Sequence, residues 1–151
     1  MTFPQFLPSS RVPAPSDAPA LTWGVLGTGW IAHQFVAAVR ASTRQRFVAV
    51  GSRSMDKAKA FASEIGVDAA HASYATLVAD PNVQVIYVAT PHSEHAEHAL
   101  LAIEAGKHVL VEKAFTQNAA QAQRVVDAAR DRGVAVMEAM WARFLPRFDI
   151  V

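Results

Sequence analysis

The chain has 151 residues with 14 Lys and Arg against 13 Asp and Glu, and a formal charge of +1 provides no field suited to nucleic acid. Its 52% hydrophobic content is ample for one buried core, and since 30 of those residues are alanine the composition points to close helix packing; no apolar run approaches the ~18 residues of a membrane span. Cysteine is absent, which excludes disulfides, thiolate metal sites and a cysteine nucleophile.

Residues 1–20 hold Pro4, Pro8, Pro13, Pro15 and Pro19 without a basic start or an apolar stretch, so this is a Pro-rich leader or arm and not a signal peptide. It is either flexible or docked on the domain or a neighbouring subunit. A cytoplasmic location is the default. From Leu21 the hydrophobic period switches between short β-like runs and helical stripes, as in βαβ units. Strands are predicted at Leu21–Leu26, Arg46–Ser52, Val83–Ala89, Lys107–Val111 and Val134–Glu138, with a weaker one at Ala69–Tyr74. The stripes between them run through Ile31, Phe35, Ala38 and Val39; Ala58, Phe61, Ala62 and Ile65; Ala96, Ala99, Leu100 and Ile103; and Ala122, Val125, Val126 and Ala129. Gly66, Gly106 and Gly133 stand where three of these helices should stop. The fold class is therefore α/β, a doubly wound, mostly parallel sheet of about six strands (Rossmann), with ligands at the carboxyl ends of the strands. Residues 21–139 form the dinucleotide-binding domain.

Gly27-Thr28-Gly29-Trp30-Ile31-Ala32 lies between the first strand and the first helix, with the spacing G-x-G-x-x-A. Gly27 permits the tight turn, Gly29 lets backbone approach a pyrophosphate, and Ala32 allows close helix packing; the helix N-terminus faces the negative charge. After the second strand, where an NAD-preferring site places an acid on the ribose, the chain reads Ser52-Arg53-Ser54. Arg53 is expected to fork onto a 2′-phosphate, with Ser52, Ser54 and Lys57 within reach of its other oxygens. The cofactor expected is NADP(H), with NAD possible, and the missing acid also argues against a methyltransferase site.

Three later segments, Thr90-Pro91-His92-Ser93-Glu94-His95, Ala105-Gly106-Lys107-His108-Val109-Leu110-Val111-Glu112-Lys113 and Met137-Glu138-Ala139-Met140-Trp141, complete the pattern. Together they resemble the nucleotide-binding half of the Gfo/Idh/MocA oxidoreductases over Leu21 to about Pro146, and the last is similar to the dihydrodiol dehydrogenase branch. The resemblance implies that Lys113 is catalytic, beside the nicotinamide and the reacting oxygen, and that Glu112 fixes its loop. It implies that His92 and His95, with Thr90 and Pro91, border the cofactor. Trp141 and Arg143 follow the last strand, at the exit toward a substrate domain; Trp141 either walls the nicotinamide pocket or packs with Phe144 and Leu145 in a core. The family continues Glu-Lys-Pro, whereas residue 114 is Ala, so a trans Lys113–Ala114 bond is expected. On this reading residues 140–151 begin a truncated second domain, that substrate domain is missing, and the full-length protein is a homo-oligomer. Phe148 and Ile150 extend an apolar tail.

His92, His95 and His98 are spaced by three, and on one continuous helix His92 and His98 diverge by about 120°, so no metal site is expected. The same geometry sets His92 nearest the apolar stripe and His98 toward water. The activity implied is hydride transfer between nicotinamide and a secondary alcohol or carbonyl of a sugar, polyol or cyclic diol. The alternative is a non-catalytic Rossmann module, separated from it by whether Lys113 meets a substrate oxygen beside the nicotinamide.

Overall fold

In the computed structural model, which describes residues 13–145, the β-branched runs become strands and the stripes become helices in strict alternation. The order is β1 (Thr22–Leu26), α1 (Trp30–Ser42), β2 (Arg46–Gly51), α2 (Met55–Glu64), β3 (Ala69–His71), α3 (Tyr74–Val78), β4 (Val85–Val88), α4 (His95–Glu104), β5 (His108–Val111), α5 (Ala119–Arg132) and β6 (Val136–Glu138). The strands form one parallel sheet in the order β3-β2-β1-β4-β5-β6. The chain thus starts mid-sheet, winds outward to β3, then crosses back beside β1 and winds the other way. That reversal opens a crevice at the carboxyl ends of β1 and β4.

One apolar layer joins Val25, Val50 and Tyr87 of the sheet to Ala32 and Val36 of α1 and Phe61 of α2. The opposite layer joins Leu26, Ile86 and Val111 to α3, α4 and α5 through Leu77, Ile103 and Val125. All four residues of β4 are buried, as its unbroken apolar run requires. Each fully buried Leu or Ile of these layers contributes roughly 1.5–3 kcal/mol. The helices ending at Gly66, Gly106 and Gly133 do so with φ of 60°, 75° and 67° at those residues.

Several expectations change. The weak strand at Ala69–Tyr74 is paired only over Ala69–His71, and α3 follows it at once. Five residues are too few to show a stripe, but Ser73 caps α3 by accepting from the Thr76 N–H, and Leu77 lands on Gly51, where a Cβ would lie 2.8 Å from Leu77 Cδ2. The end of the leader is docked: Gln45 Nε2 donates to the Pro19 carbonyl at 2.7 Å and the Arg44 guanidinium to that of Ala18 at 3.4 Å. The first part of the leader, and Phe148 and Ile150 of the apolar tail, lie outside the described residues. The Lys113–Ala114 peptide is cis, not trans, and side chains hold both of its ends, as described below.

Candidate cofactor-binding and active site

At the end of β1 the Gly27 N–H donates to the Gly51 carbonyl at 3.0 Å, and the chain turns sharply with φ +107° at Gly27. A Cβ there would lie 2.7 Å from the Ala89 carbonyl oxygen of the neighbouring strand end, so only glycine fits. Gly29 differs: it has an ordinary φ of −83°, and a Cβ would meet nothing within 4 Å. Gly29 is the N-cap of α1 and supplies no capping side chain, so the leading N–H groups of Trp30 and Ile31 carry no side-chain cap. The open space and the positive helix end coincide.

A cleft of about 250 Å³ spreads from this loop across the ends of β2 and β4, lined by Gly27, Thr28, Gly29, Arg53, Lys57 and Tyr74 among others. It also takes in Ser52, Ser54, Thr90 and Pro91, and no acidic residue lines it. Arg53 and Lys57 are exposed, which leaves two cations facing a wall of backbone amides and hydroxyls. Ser54 serves α2 as its cap, accepting from the Lys57 N–H at 3.4 Å, and buried Ser52 accepts from the Ser54 N–H at 3.3 Å. Each of these acceptors is occupied, so toward an anion the two serines have hydroxyl protons to offer. Tyr74 was not foreseen; it reaches the cleft because α3 exists.

A second cleft, of about 320 Å³, continues past Thr90 and is lined by Trp30, Ile31, His92, Glu112 and Lys113, with His95 behind. The Glu112 carboxylate accepts from the buried Tyr87 hydroxyl at 2.5 Å and from the Lys113 N–H at 3.1 Å. Burial first, then the hydrogen bond to Glu112 and its charge, push the Tyr87 hydroxyl well above the ordinary phenol range, so it stays a donor. Phe35 of α1 stacks on the Tyr87 ring at 3.8 Å. Beyond Lys113, the Phe115 N–H donates to Glu138 Oε1 at 2.9 Å, a link from the end of β6 that the sequence did not signal.

The histidines are arranged otherwise than a single helix predicts. His92 to Glu94 form a separate 3-10 turn, and α4 begins only at His95. His92 is exposed and donates from Nε2 to the Lys113 carbonyl at 2.7 Å, so it is not packed on the apolar stripe. His95 is wholly buried, with its ring nitrogens 2.8 Å from the carbonyls of Ala114 and Thr90; it shapes the cleft from behind. His98 does not face water: it is half-buried, hydrogen-bonded to the Thr90 hydroxyl at 2.9 Å and edge-on to Tyr74 at 4.6 Å. Burial holds its imidazole below the ordinary range.

Trp141 is 70% exposed and is not a core residue with Leu145, because the 3-10 turn Trp141–Phe144 sets its side chain on the surface. It lines an apolar groove of about 350 Å³ with Phe35, Leu110 and Met137, which shares Ile31 and Glu112 with the Lys113 cleft. Arg143 is not brought to either cleft; it borders a separate hollow with Met137, Glu138 and Met140, because a short 3-10 turn from Trp141 to Phe144 carries it away.

The remaining residues named from the sequence thus meet along one edge of the sheet, from Arg53 through the glycine loop and Thr90 to Lys113. Residues 21–140 match the model of the oxidoreductase family with an NAD-binding Rossmann fold, Gfo/Idh/MocA. The chain belongs to that family. Curated relatives include a mouse trans-1,2-dihydrobenzene-1,2-diol dehydrogenase, 41% identical over 86% of this chain and 40% of its own length. A D-xylose 1-dehydrogenase (NADP(+)) of Hypocrea jecorina is 46% identical over 83% of this chain and 35% of its own. Among solved structures, KijD10, a 3-ketoreductase from Actinomadura kijaniata in complex with TDP-benzene and NADP, superposes with a TM-score of 0.80 at 34% identity, over 85% of this chain and 41% of that one. The chain spans about 40% of the length of the first of these relatives.

Proposed function

We propose that the chain is the cofactor-binding half of an NADP(H)-dependent oxidoreductase that moves hydride between nicotinamide and a secondary alcohol or carbonyl of a sugar, polyol or cyclic diol. The observation that carries this reading is the acid-free cleft at the end of β2, where Arg53 and Lys57 stand beside an uncapped helix N-terminus. A site for NAD alone usually has a carboxylate there on the ribose hydroxyls, which would repel a 2′-phosphate. The fit extends to the loop, since the space beside Gly29 is open to the close approach of a pyrophosphate. The NADP(+)-dependent xylose dehydrogenase and the KijD10 complex with NADP support the same choice, and diol and sugar dehydrogenases among the relatives support the substrate class.

When bound, the nicotinamide supplies the hydride donor or acceptor. The residues do the rest. Arg53 forks onto the second phosphate, the α1 amides hold the pyrophosphate, and Trp30, Ile31 and His92 wall the ring. Lys113 hydrogen-bonds the reacting oxygen through Nζ and carries its proton as the carbonyl forms or is reduced. Glu112, fixed by Tyr87, keeps that loop in place. The compartment of this reading is the cytoplasm.

Titrating NADPH and NADH into the chain at one salt concentration tests it, with Trp30 beside the Lys113 cleft as the fluorescence reporter. NADPH is expected to bind tenfold or more tightly than NADH, the equivalent of at least one desolvated charge-assisted contact. Equal affinities, or no binding of either, would contradict the proposal.

A further inference from the structure

Residues 113–117, which lead from the end of β5 toward α5, make no backbone–backbone hydrogen bond with the described chain. Side chains hold them instead. Glu112 accepts from the Lys113 N–H at 3.1 Å, His92 lies 2.7 Å from the Lys113 carbonyl oxygen, and His95 lies 2.8 Å from that of Ala114. These three grips come from the β4 and β5 side of the turn. The fourth comes from β6, where Glu138 Oε1 accepts from the Phe115 N–H at 2.9 Å. The next one along the chain is Gln121 of α5, whose Oε1 accepts from the Gln117 N–H at 3.0 Å.

Glu138 is placed against the preference of its own strand. β6 is an edge strand of three residues, and within it Met137 is 50% exposed while Glu138 is half-buried. Burial of apolar surface alone would reverse that order, because covering a carboxylate costs free energy unless it is hydrogen-bonded. Among the described residues the Phe115 N–H is the one hydrogen-bond partner of this carboxylate. Register brings the two together. Val111 pairs with Glu138, and the Ala139 N–H donates to the Val111 carbonyl at 2.7 Å, so the end of β6 lies beside the chain as it leaves β5.

We propose that Glu138 is a positioning residue for Lys113, the anchor of the turn on the side that Glu112, His92 and His95 do not reach. The inference rests on the reading of Lys113 as the group that meets the reacting oxygen. With Glu138 in place the turn is gripped from both sides and Lys113 is directed into the cleft that it lines. Without it the Phe115 N–H loses its partner, the turn pivots about its remaining grips, and the Lys113 amine spreads over several directions. A misplacement of about 1 Å can cost a hundredfold in rate where reacting atoms must be held in contact. Reach and charge are separable at this position. Glu138→Gln keeps an acceptor oxygen at the same distance without the charge, whereas Glu138→Asp keeps the charge and draws the oxygen back by one methylene.

The test compares amide hydrogen exchange in the ¹⁵N-labelled parent chain and in Glu138→Gln, Glu138→Asp and Glu138→Ala. The Phe115 amide should exchange about tenfold or more faster in Glu138→Asp and Glu138→Ala, and at close to the parental rate in Glu138→Gln. In the same spectra the Lys113 and Ala114 amides should move in the first two variants and keep near-parental positions in Glu138→Gln. Equal exchange in all four chains, or equal loss of protection in all three variants, would overturn the proposal. Protection kept by Glu138→Asp and lost by Glu138→Gln would do so too, since charge and not the hydrogen bond would then hold Phe115. Faster exchange at Phe115 with unmoved Lys113 signals would overturn the positioning role. Should Glu138→Ala fail to fold, Glu138→Asp against Glu138→Gln makes the same comparison. Added NADPH tests the consequence: its effect on the Lys113 signals should shrink in Glu138→Asp and persist in Glu138→Gln, with the Gly29 and Arg53 responses kept in both. An undiminished Lys113 response in Glu138→Asp would overturn the positioning role. No response to NADPH in the parent chain would contradict the dinucleotide reading alone, since exchange at Phe115 decides the grip of Glu138 without cofactor.

Discussion

The two glycines of the phosphate loop should fail in opposite ways. Gly27→Ala forces an L side chain into φ +107° and sets its Cβ 2.7 Å from the Ala89 carbonyl oxygen, a backbone atom that can retreat only if the strand ends part. The left-handed conformation costs about 1–2 kcal/mol and the overpacking a similar amount, together about 3 kcal/mol. For a domain of this size that corresponds to a fall of about 10 °C in Tm. Gly29→Val meets no protein atom within 4 Å at its Cβ and keeps an ordinary φ, so it costs only about 1 kcal/mol as a poorer helix cap. Its branched side chain fills the space where a pyrophosphate would meet the α1 amides, and losing two charge-assisted hydrogen bonds weakens NADPH roughly a hundredfold. Thermal melts followed by circular dichroism, and NADPH titrations of each variant that folds, separate the two effects. Native affinity in a folded Gly29→Val variant would refute the placement of the phosphate loop, and a Gly27→Ala variant as stable as the parent would refute the steric account.

Three further outcomes follow from other parts of the molecule. Arg53→Ala should weaken NADPH about tenfold or more while leaving NADH affinity unchanged, and calorimetric titrations showing equal losses for both would remove the 2′-phosphate role. Tyr87→Phe keeps the ring that stacks on Phe35 but deprives Glu112 of a buried donor; a cost of about 1–2 kcal/mol should lower Tm by about 5 °C, and an unchanged melt would show that bond to be worthless. At Asp80, burial alone would raise the carboxyl, but the Asn82 N–H and His71 outweigh it and hold it below its ordinary value of 3.8. A carboxyl depressed in the fold stabilises above the unfolded value and loses that contribution as pH falls through the folded one. Urea melts of Asp80→Asn should therefore show a deficit at neutral pH that shrinks in acid, and a deficit constant with pH would contradict the depressed carboxyl.

The strands and helices were legible because burial on both faces demands unbroken runs such as Val85–Val88, while the helices repeat their apolar residues at 3.6 spacing and stop at glycine. The glycine loop and Arg53 were legible for a related reason, since backbone approach and phosphate charge restrict residue type at fixed offsets from a strand. What was hidden depends on register and on short elements. Tyr87 reads as one more core aromatic until the parallel pairing of Tyr87 with Leu110 sets its hydroxyl against Glu112, two residues further on. The histidine spacing misled because it assumed a continuous helix from His92, whereas the turn His92–Glu94 breaks it and turns His95 inward. His98 looked solvent-facing on α4 alone; it is covered by Tyr74 from α3, a five-residue helix too short to register as a pattern. Arg143 follows the last strand closely in sequence, yet the 3-10 turn that carries it away has no marker in composition.

The central claim is that a dinucleotide lies along one edge of the sheet, from Arg53 through Gly29 to Lys113. Backbone amide shifts of the ¹⁵N-labelled chain on addition of NADPH test it most directly. The account predicts changes concentrated in Gly27–Ile31, Ser52–Ser54, Thr90–His92 and Glu112–Ala114, with the Ser52–Ser54 changes reduced when NADH replaces NADPH. Changes confined to the apolar groove around Met137, Met140 and Trp141, with the glycine loop and Arg53 unmoved, would contradict it.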